Sequence, residues 1–438
     1  KINMILLENK AKDDKKLRLE KYINHQKVQK QNKTFNLIEH EIQNAKFILN
    51  RGFQYKDITQ EIHQLNDWEA FAVKGIVGKK FRVQTDRNLS STSILLDELL
   101  KRTNNRLEKI NIENQELSRT QEKIDSLATE KNLYYVPADS AAKEIYRLRT
   151  LKMNSETDFV SERLKNAVDS IESLKILGNQ LKFKIESDIL ENDALRQLEL
   201  DQLFSKKVPV FQKPDLKNPM IEDPLAFSIQ TNNLVLYFYL INNRNSILLM
   251  LLLIIGTAIY FELQKRKFLE LGYKNDMLIG IYILNSPIAS AVLVVLNIYQ
   301  FILPMPPLIF SILLWTVSTI ALTVIMWRSI GIFVWKIWIA IFILNLIAMF
   351  DIIILIHFVG ESFLILAINI LGIAIGIYAF MNRSQIQRKV YLWFIILATI
   401  MQFLSFYFLI NGHYNLGKFF MTKAVYTIIV VFSLYNTF

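Results

Sequence analysis

The chain has 438 residues, no cysteine, 52% hydrophobic residues and a formal charge of +11, from 51 Lys and Arg against 40 Asp and Glu. Without cysteine there are no disulfides, thiolate metal sites or cysteine nucleophiles. Residues 246–438 hold 11 of the basic and 5 of the acidic residues, leaving 40 and 35 in residues 1–245. That near balance is a mixed, solvated surface and excludes a nucleic-acid footprint. With five His scattered through the chain, no metal site and no cofactor is expected.

Residues 1–200 are poor in Gly and Pro and rich in Glu, Lys, Leu, Gln, Ile and Asn, the composition of long helices. Trp68 to Gly78 joins two helical segments; Gly75 and Gly78 lack phosphate-loop spacing and no strand precedes them, so a connector around a packed Trp68 is expected. A heptad runs through Leu96, Leu100, Thr103, Leu107, Ile110, Asn114, Leu117, Gln121 and Ile124, with Ser90 or Ser91 as its cap. Tyr134 to Pro137 ends this helix, and Asp139 or Ser140 starts the next. Its apolar stripe (Leu164, Val168, Ile171, Leu174, Leu177, Leu181, Ile185, Ile189) drifts between gaps of three and four, as in a bundle. The two helices are expected to fold back as an antiparallel hairpin, their stripes serving as core.

Beyond Phe204 the pattern breaks. Pro209, Pro214, Pro219 and Pro224 recur every five residues, which predicts a stiff, non-helical connector. Leu234 to Leu240 then suits a headgroup-level aromatic anchor, a short strand or part of a longer span. From Ser246 the chain is a series of apolar runs. A hydrocarbon core of ~30 Å needs ~20 helical residues, and seven runs approach that length: about 246–263, 277–303, 307–327, 337–357, 361–381, 390–410 and 420–438.

The resulting expectation is an all-α chain. Residues 1–203 form an extracytoplasmic helical, coiled-coil domain, 204–245 a Pro-rich linker with an aromatic interface segment, and 246–438 a transmembrane helical domain of about seven spans. Connections after the odd-numbered runs carry nine basic residues, among them Lys265, Arg266, Lys267, Arg328, Lys336, Arg383 and Arg388. The even-numbered connections carry one, Lys418. Cytoplasmic loops hold the excess of Lys and Arg, so the odd exits are expected in the cytoplasm and the polar domain outside, in the periplasm above a bacterial inner membrane. Lys423 is discordant. The chain opens on Lys1, expected if a targeting segment has been removed or amino-terminal residues are missing, and an apolar run reaches Phe438, expected of a piece of a longer polypeptide.

Polar residues inside the apolar runs are Asn285, Asn297, Asn345, Asp351, His357, Asn369 and Gln402. Intramembrane ionisable groups are functional candidates, which singles out Asp351, His357 and, among the amides, Asn369. Asp351 lies about six residues, ~9 Å of helical rise, from its helix end and has no Lys or Arg at similar depth. Interfacial placement is therefore expected, with Asp351→Asn leaving folding intact. The Asn residues should bond between helices, Pro287 should kink the second span, and Gly372-Ile-Ala-Ile-Gly376 should pack helix on helix. No nucleophile–base pair stands out, so no enzyme is expected.

This order of parts (helical domain 1–200, linker 204–245, membrane helices 246–438) resembles the large MscK-like members of the mechanosensitive channel of small conductance (MscS) superfamily. The family's pore helix and cytoplasmic vestibule have no counterpart in these residues, and no functional residue carries over. The resemblance implies a tension-gated channel subunit protecting against osmotic downshock, of which this chain supplies the periplasmic domain and peripheral lipid-facing helices. It further implies membrane lipids as partners and a homo-oligomer, heptameric as is usual in the family. The alternatives are a membrane-anchored envelope scaffold with a periplasmic partner, or a secondary transporter or membrane sensor.

Overall fold

The computed structural model describes residues 2–74, 76, 85–137, 139–201, 223–271, 282–327, 331–356, 359–386 and 389–437. Among them the chain is all-helical, with no strand. It divides into two compact units: residues 1–67 with 100–185, and residues 68–99 with 186–438.

The first unit is built from α1 (Ile2–Arg51), the start of α2 (Tyr55–Val73), most of α3 (Asp86–Ala128) and most of α4 (Ser140–Asp201). The expected heptad is the buried side of α3: Thr103, Leu107, Ile110, Leu117 and Ile124 lie in the core. On α4, Leu164, Ile171, Leu174, Leu181 and Ile185 are buried, but Leu177 is exposed. Gly178 takes its place, because a Cβ there would stand 2.7 Å from Leu107 Cδ2. The helix backbone itself is the packing surface at that level.

Polar contacts fix the register of α1 against its neighbours. Lys46 reaches Glu156 at 2.8 Å and Arg149 reaches Glu39 at 3.0 Å, so α1 and α4 run parallel. Arg51 pairs with Glu113 at 2.7 Å while Thr34 donates to Glu130, so α1 and α3 run antiparallel. Gln31 donates to the carbonyls of Leu133 and Tyr135, which ties down the turn after a short 3-10 helix at Lys131–Tyr134. Asp139 caps α4 by accepting from Ala142 N at 3.1 Å.

Gly52 separates α1 from α2 with φ +72°, the left-handed geometry that ends helices at least cost when the residue is glycine. No atom lies within 4 Å of a Cβ built there, so the constraint is purely conformational. Gly52→Ala is expected to destabilise the protein by about 1 kcal/mol, read as a lowered thermal midpoint in detergent.

The second unit holds α5 (Pro224–Asn242), α6 (Arg244–Glu270), the one-turn α7 (Tyr282–Asn285), α8 (Pro287–Tyr299), α9 (Leu308–Met326), α10 (Ile332–Ile353), α11 (Val359–Met381), α12 (Lys389–Ile410) and α13 (Tyr414–Thr437). Residues 68–99 of α2 and α3 and the end of α4 join it. Asn192 Nδ2 donates to Leu89 O at 3.1 Å and Arg196 reaches Asp86 at 3.2 Å, the antiparallel α3–α4 pairing expected. The cap of α3 is Thr85, whose Oγ1 accepts from Asn88 N at 3.1 Å, and not Ser90 or Ser91.

Much of the expected connector lies outside the described residues, and its last proline is helical. Pro224 occupies the first position of α5, where the missing N–H is no loss, and Asp223 caps the helix through Leu225 N and Ala226 N. Leu234 to Leu240 is therefore helix and not strand. Phe238 of this segment meets Trp68 edge-on at 5.2 Å between ring centroids, the packed role expected of that Trp.

Among the described residues, five helices are long and apolar enough to cross a membrane: α6, α9, α10, α11 from Gly360, and α12. The chain is a membrane-embedded protein. Pro287 breaks the second apolar run instead of kinking it: α7 ends at Asn285, Ser286 is non-helical, and Pro287 starts α8 afresh. Helices α8 to α13 pack in sequence around Leu322, Trp338, Ile341, Ala398 and Ala424, while α6 lies against α8 and buries only Met250.

Candidate functional site

The polar residues of the second unit converge where α10 ends. Its last carbonyls have no partner within the helix, and the backbone turns through residues 354–356, whose apolar side chains are buried. Side chains from three other helices, with the cap residue of one of them, supply the donors. Arg87 of α3 donates to Ile352 O at 2.9 Å, Asn232 of α5 to Ile353 O at 2.8 Å, Lys418 of α13 to Asp351 O at 3.0 Å, and Thr85 to Leu355 O. Ser228 Oγ accepts from Leu355 N at 3.0 Å.

The same cations neutralise two buried carboxylates. Lys418 Nζ lies 2.9 Å from Asp351 Oδ2 and contacts Glu361 Oε1, and Arg87 reaches Glu361 Oε1 at 3.4 Å. Asp351 and Glu361 are wholly buried and Lys418 is 5% exposed. Neither carboxylate oxygen of Asp351 accepts a hydrogen bond, so that contact is electrostatic. Two cations and two anions make a neutral quartet. Within it, Arg87 and Lys418 place their positive groups against the last carbonyls of α10, where the helix dipole favours that sign.

Asp351 lies buried in the last turn of α10 and is paired, contrary to the expectation that no Lys or Arg shares its depth. Its partner is Lys418, which the sequence pattern places in a connection. In the structure α13 begins at Tyr414, six residues before the expected span, which carries Lys418 into a helix. Arg87 lies 264 residues from Asp351 and Glu361 opens its helix, so neither gives a signal in the local pattern. His357 lies outside the described residues.

Asn369 occupies a second polar cluster. Fully buried on α11, it donates to Ser405 Oγ of α12 at 2.7 Å, and Ser405 donates to Gly417 O of α13 at 2.6 Å. Gly417 adjoins Lys418, so this cluster is one residue from the quartet along α13. Two further rungs follow along α11 and α12. A Cβ on Gly372 would fall 2.0 Å from Gln402 Oε1, and one on Gly376 1.9 Å from Thr399 Oγ1. The small-residue pair packs helix on helix as expected, and the close approach lets two polar side chains lie on bare backbone. Asn345 departs from expectation: its Nδ2 points at Met349 Sδ in its own helix, 3.7 Å away.

Among the described residues no group of three His, Cys, Asp or Glu could hold a metal ion. In comparisons with known proteins, no family model, no curated protein and no solved structure matches this chain. The chemistry of the quartet is therefore the chemistry of charge held away from solvent. It can couple helices strongly while intact, and it can release them if one member is neutralised.

Asp351→Asn leaves Lys418 and Arg87 facing one carboxylate. It is expected to cost about 3–5 kcal/mol, as for other broken buried pairs, seen as a lower unfolding midpoint. The double variant Asp351→Asn/Lys418→Gln should lose less than the sum of its singles. Gly376→Ala forces α11 and α12 apart against Thr399 and is expected to lower the midpoint further than Gly256→Ala, where no atom lies within 4 Å.

Proposed function

We propose that this chain is the peripheral, force-sensing part of a tension-gated channel subunit, following the resemblance noted in its order of parts. The observation that carries this reading is α6. Of its 27 residues only Met250 is buried, and its Leu and Ile side chains point outward on nearly all sides. Such a helix is bounded by lipid over most of its perimeter. Tension favours states of larger in-plane area, and a long lipid-facing perimeter gives bilayer forces purchase on a two-state equilibrium. In this reading α8, preceded by α7, and α13 complete seven crossings, and the subunit assembles as a homo-oligomer, a heptamer by resemblance.

The orientation proposed is positive-inside in a bacterial inner membrane, with the helical domain in the periplasm. Basic residues carry this orientation, and aromatic groups at the same level mark an interface: Trp327 and Trp335 meet edge-on at 5.0 Å, Arg383 stands over Phe380 at 5.3 Å, and Trp393 is 70% exposed. These groups sit with Lys336 and Lys389 at one end of the α9–α12 hairpins, the end opposite the quartet. Trp and basic residues of this kind anchor helices at the headgroup level. The quartet would then hold the α10–α11 corner in the resting state.

A second reading, a secondary transporter or membrane sensor, is favoured by the buried quartet itself, since ionisable groups inside transporters line coupling pathways. Patch recordings on membranes carrying the full-length polypeptide separate the two. Stretch-activated conductance, absent from control membranes, is the expected result. Silent patches together with proton or solute flux in proteoliposomes would overturn the channel reading.

A further inference from the structure

Below the Asn369 cluster, helices α10 to α13 line a partly open cavity of about 20 Å3, the volume open to the centre of a water molecule. Ten of its twelve lining residues are buried. Most of the wall is aliphatic, but three polar side chains face it: Asn345 from α10 and Thr399 and Gln402 from α12. Asn345 is 1% exposed, and its Oδ1 has no hydrogen-bond donor. Buried amide oxygens are rarely left in that condition.

We infer that this cavity is a binding site for a single water molecule bridging Asn345 and Gln402. The volume suits one water, which needs roughly 10–15 Å3 measured this way and two to four polar partners. One water hydrogen satisfies Asn345 Oδ1. The Gln402 amide offers a donor or an acceptor across the cavity. Thr399 Oγ1 donates to Ile395 O at 2.7 Å and so keeps a lone pair free to accept. A divalent cation fits poorly, because Ca2+ or Mg2+ takes six or more oxygens and no lining residue carries a carboxylate. Gly372 and Gly376 make room for the site by letting α12 lie close enough for its polar side chains to reach the bundle interior.

Such a water joins α10 to α12 by contacts that re-form after small displacements, and this site is independent of the channel reading. A dry cavity and a wet one predict opposite signs for Asn345→Leu. If the cavity is dry, the variant removes an unpaired buried oxygen and raises the thermal midpoint of the detergent-solubilised protein. If a water bridges the two amides, the variant strands Gln402 and lowers the midpoint by about 2–4 °C. The double variant Asn345→Leu/Gln402→Met, which makes both ends apolar, should then recover most of that loss.

A density map resolving ordered waters provides the second measurement if a variant fails to fold. A peak about 2.7–3.2 Å from both Asn345 and Gln402 is expected. An empty cavity, a midpoint raised by Asn345→Leu, or a wild-type midpoint that rises when Na+ replaces choline in the buffer would each overturn the assignment. The last result would indicate a bound cation instead.

Discussion

A buried charge must be matched by an opposite charge, and the second unit is organised around that requirement. Asp351 and Glu361 lie on consecutive helices with no solvent contact, so cations must be brought to them. Arg87 comes from α3 and Lys418 from α13, the first and last helices to contribute. Asn232, Ser228 and Thr85 complete the corner by satisfying backbone groups between α10 and α11. Unpaired backbone in a water-free interior is costly. The corner therefore specifies which segments must meet before the bundle is complete.

Away from the corner, the α11–α12 contact is governed by size and polarity together. Asn369 with Ser405, Gly372 with Gln402, and Gly376 with Thr399 alternate hydrogen bonding with close approach. Neither device suffices alone. Glycines without polar partners give only proximity, and polar side chains without glycines could not reach the interior. Helices in lipid gain little from burying one apolar surface on another, so such specific rungs set the register.

Most of the helical architecture was legible because it rests on local pattern. The α3 heptad, the helix restart at Asp139 and the long apolar runs each have a period or a breaker visible within a dozen residues. What failed was what depends on distant residues. Gly178 replaces Leu177 because Leu107 presses on the backbone there. Thr85 caps α3 several residues ahead of the serines that resemble caps. The polar stretch from Asn411 to Lys418 has the look of a connection between two apolar runs, and only the packed structure shows that its second half opens α13. Asp351 was the one member of the quartet with a signal of its own, and its environment was misjudged for want of the others. The polar neighbourhood of Asn369 follows the same logic, for Ser405 and Gly417 gain meaning only once α11, α12 and α13 are packed.

The separation of the quartet along the chain bears on how the protein is made. Asp351 precedes Lys418 by 67 residues, a delay of roughly 3–13 s at ordinary ribosomal speed. Throughout that interval a nascent α10 holds a carboxylate with no cation from downstream, which hydrocarbon tolerates poorly. Helix α6, free of charge along its central apolar stretch, faces no such wait and can partition into lipid as it emerges. The α10–α13 contact, by contrast, can close only after α11 and α12 have been made, and until then Arg87 is the one cation of the quartet already present. A chain that stops short of Lys418 leaves two buried carboxylates to share a single arginine.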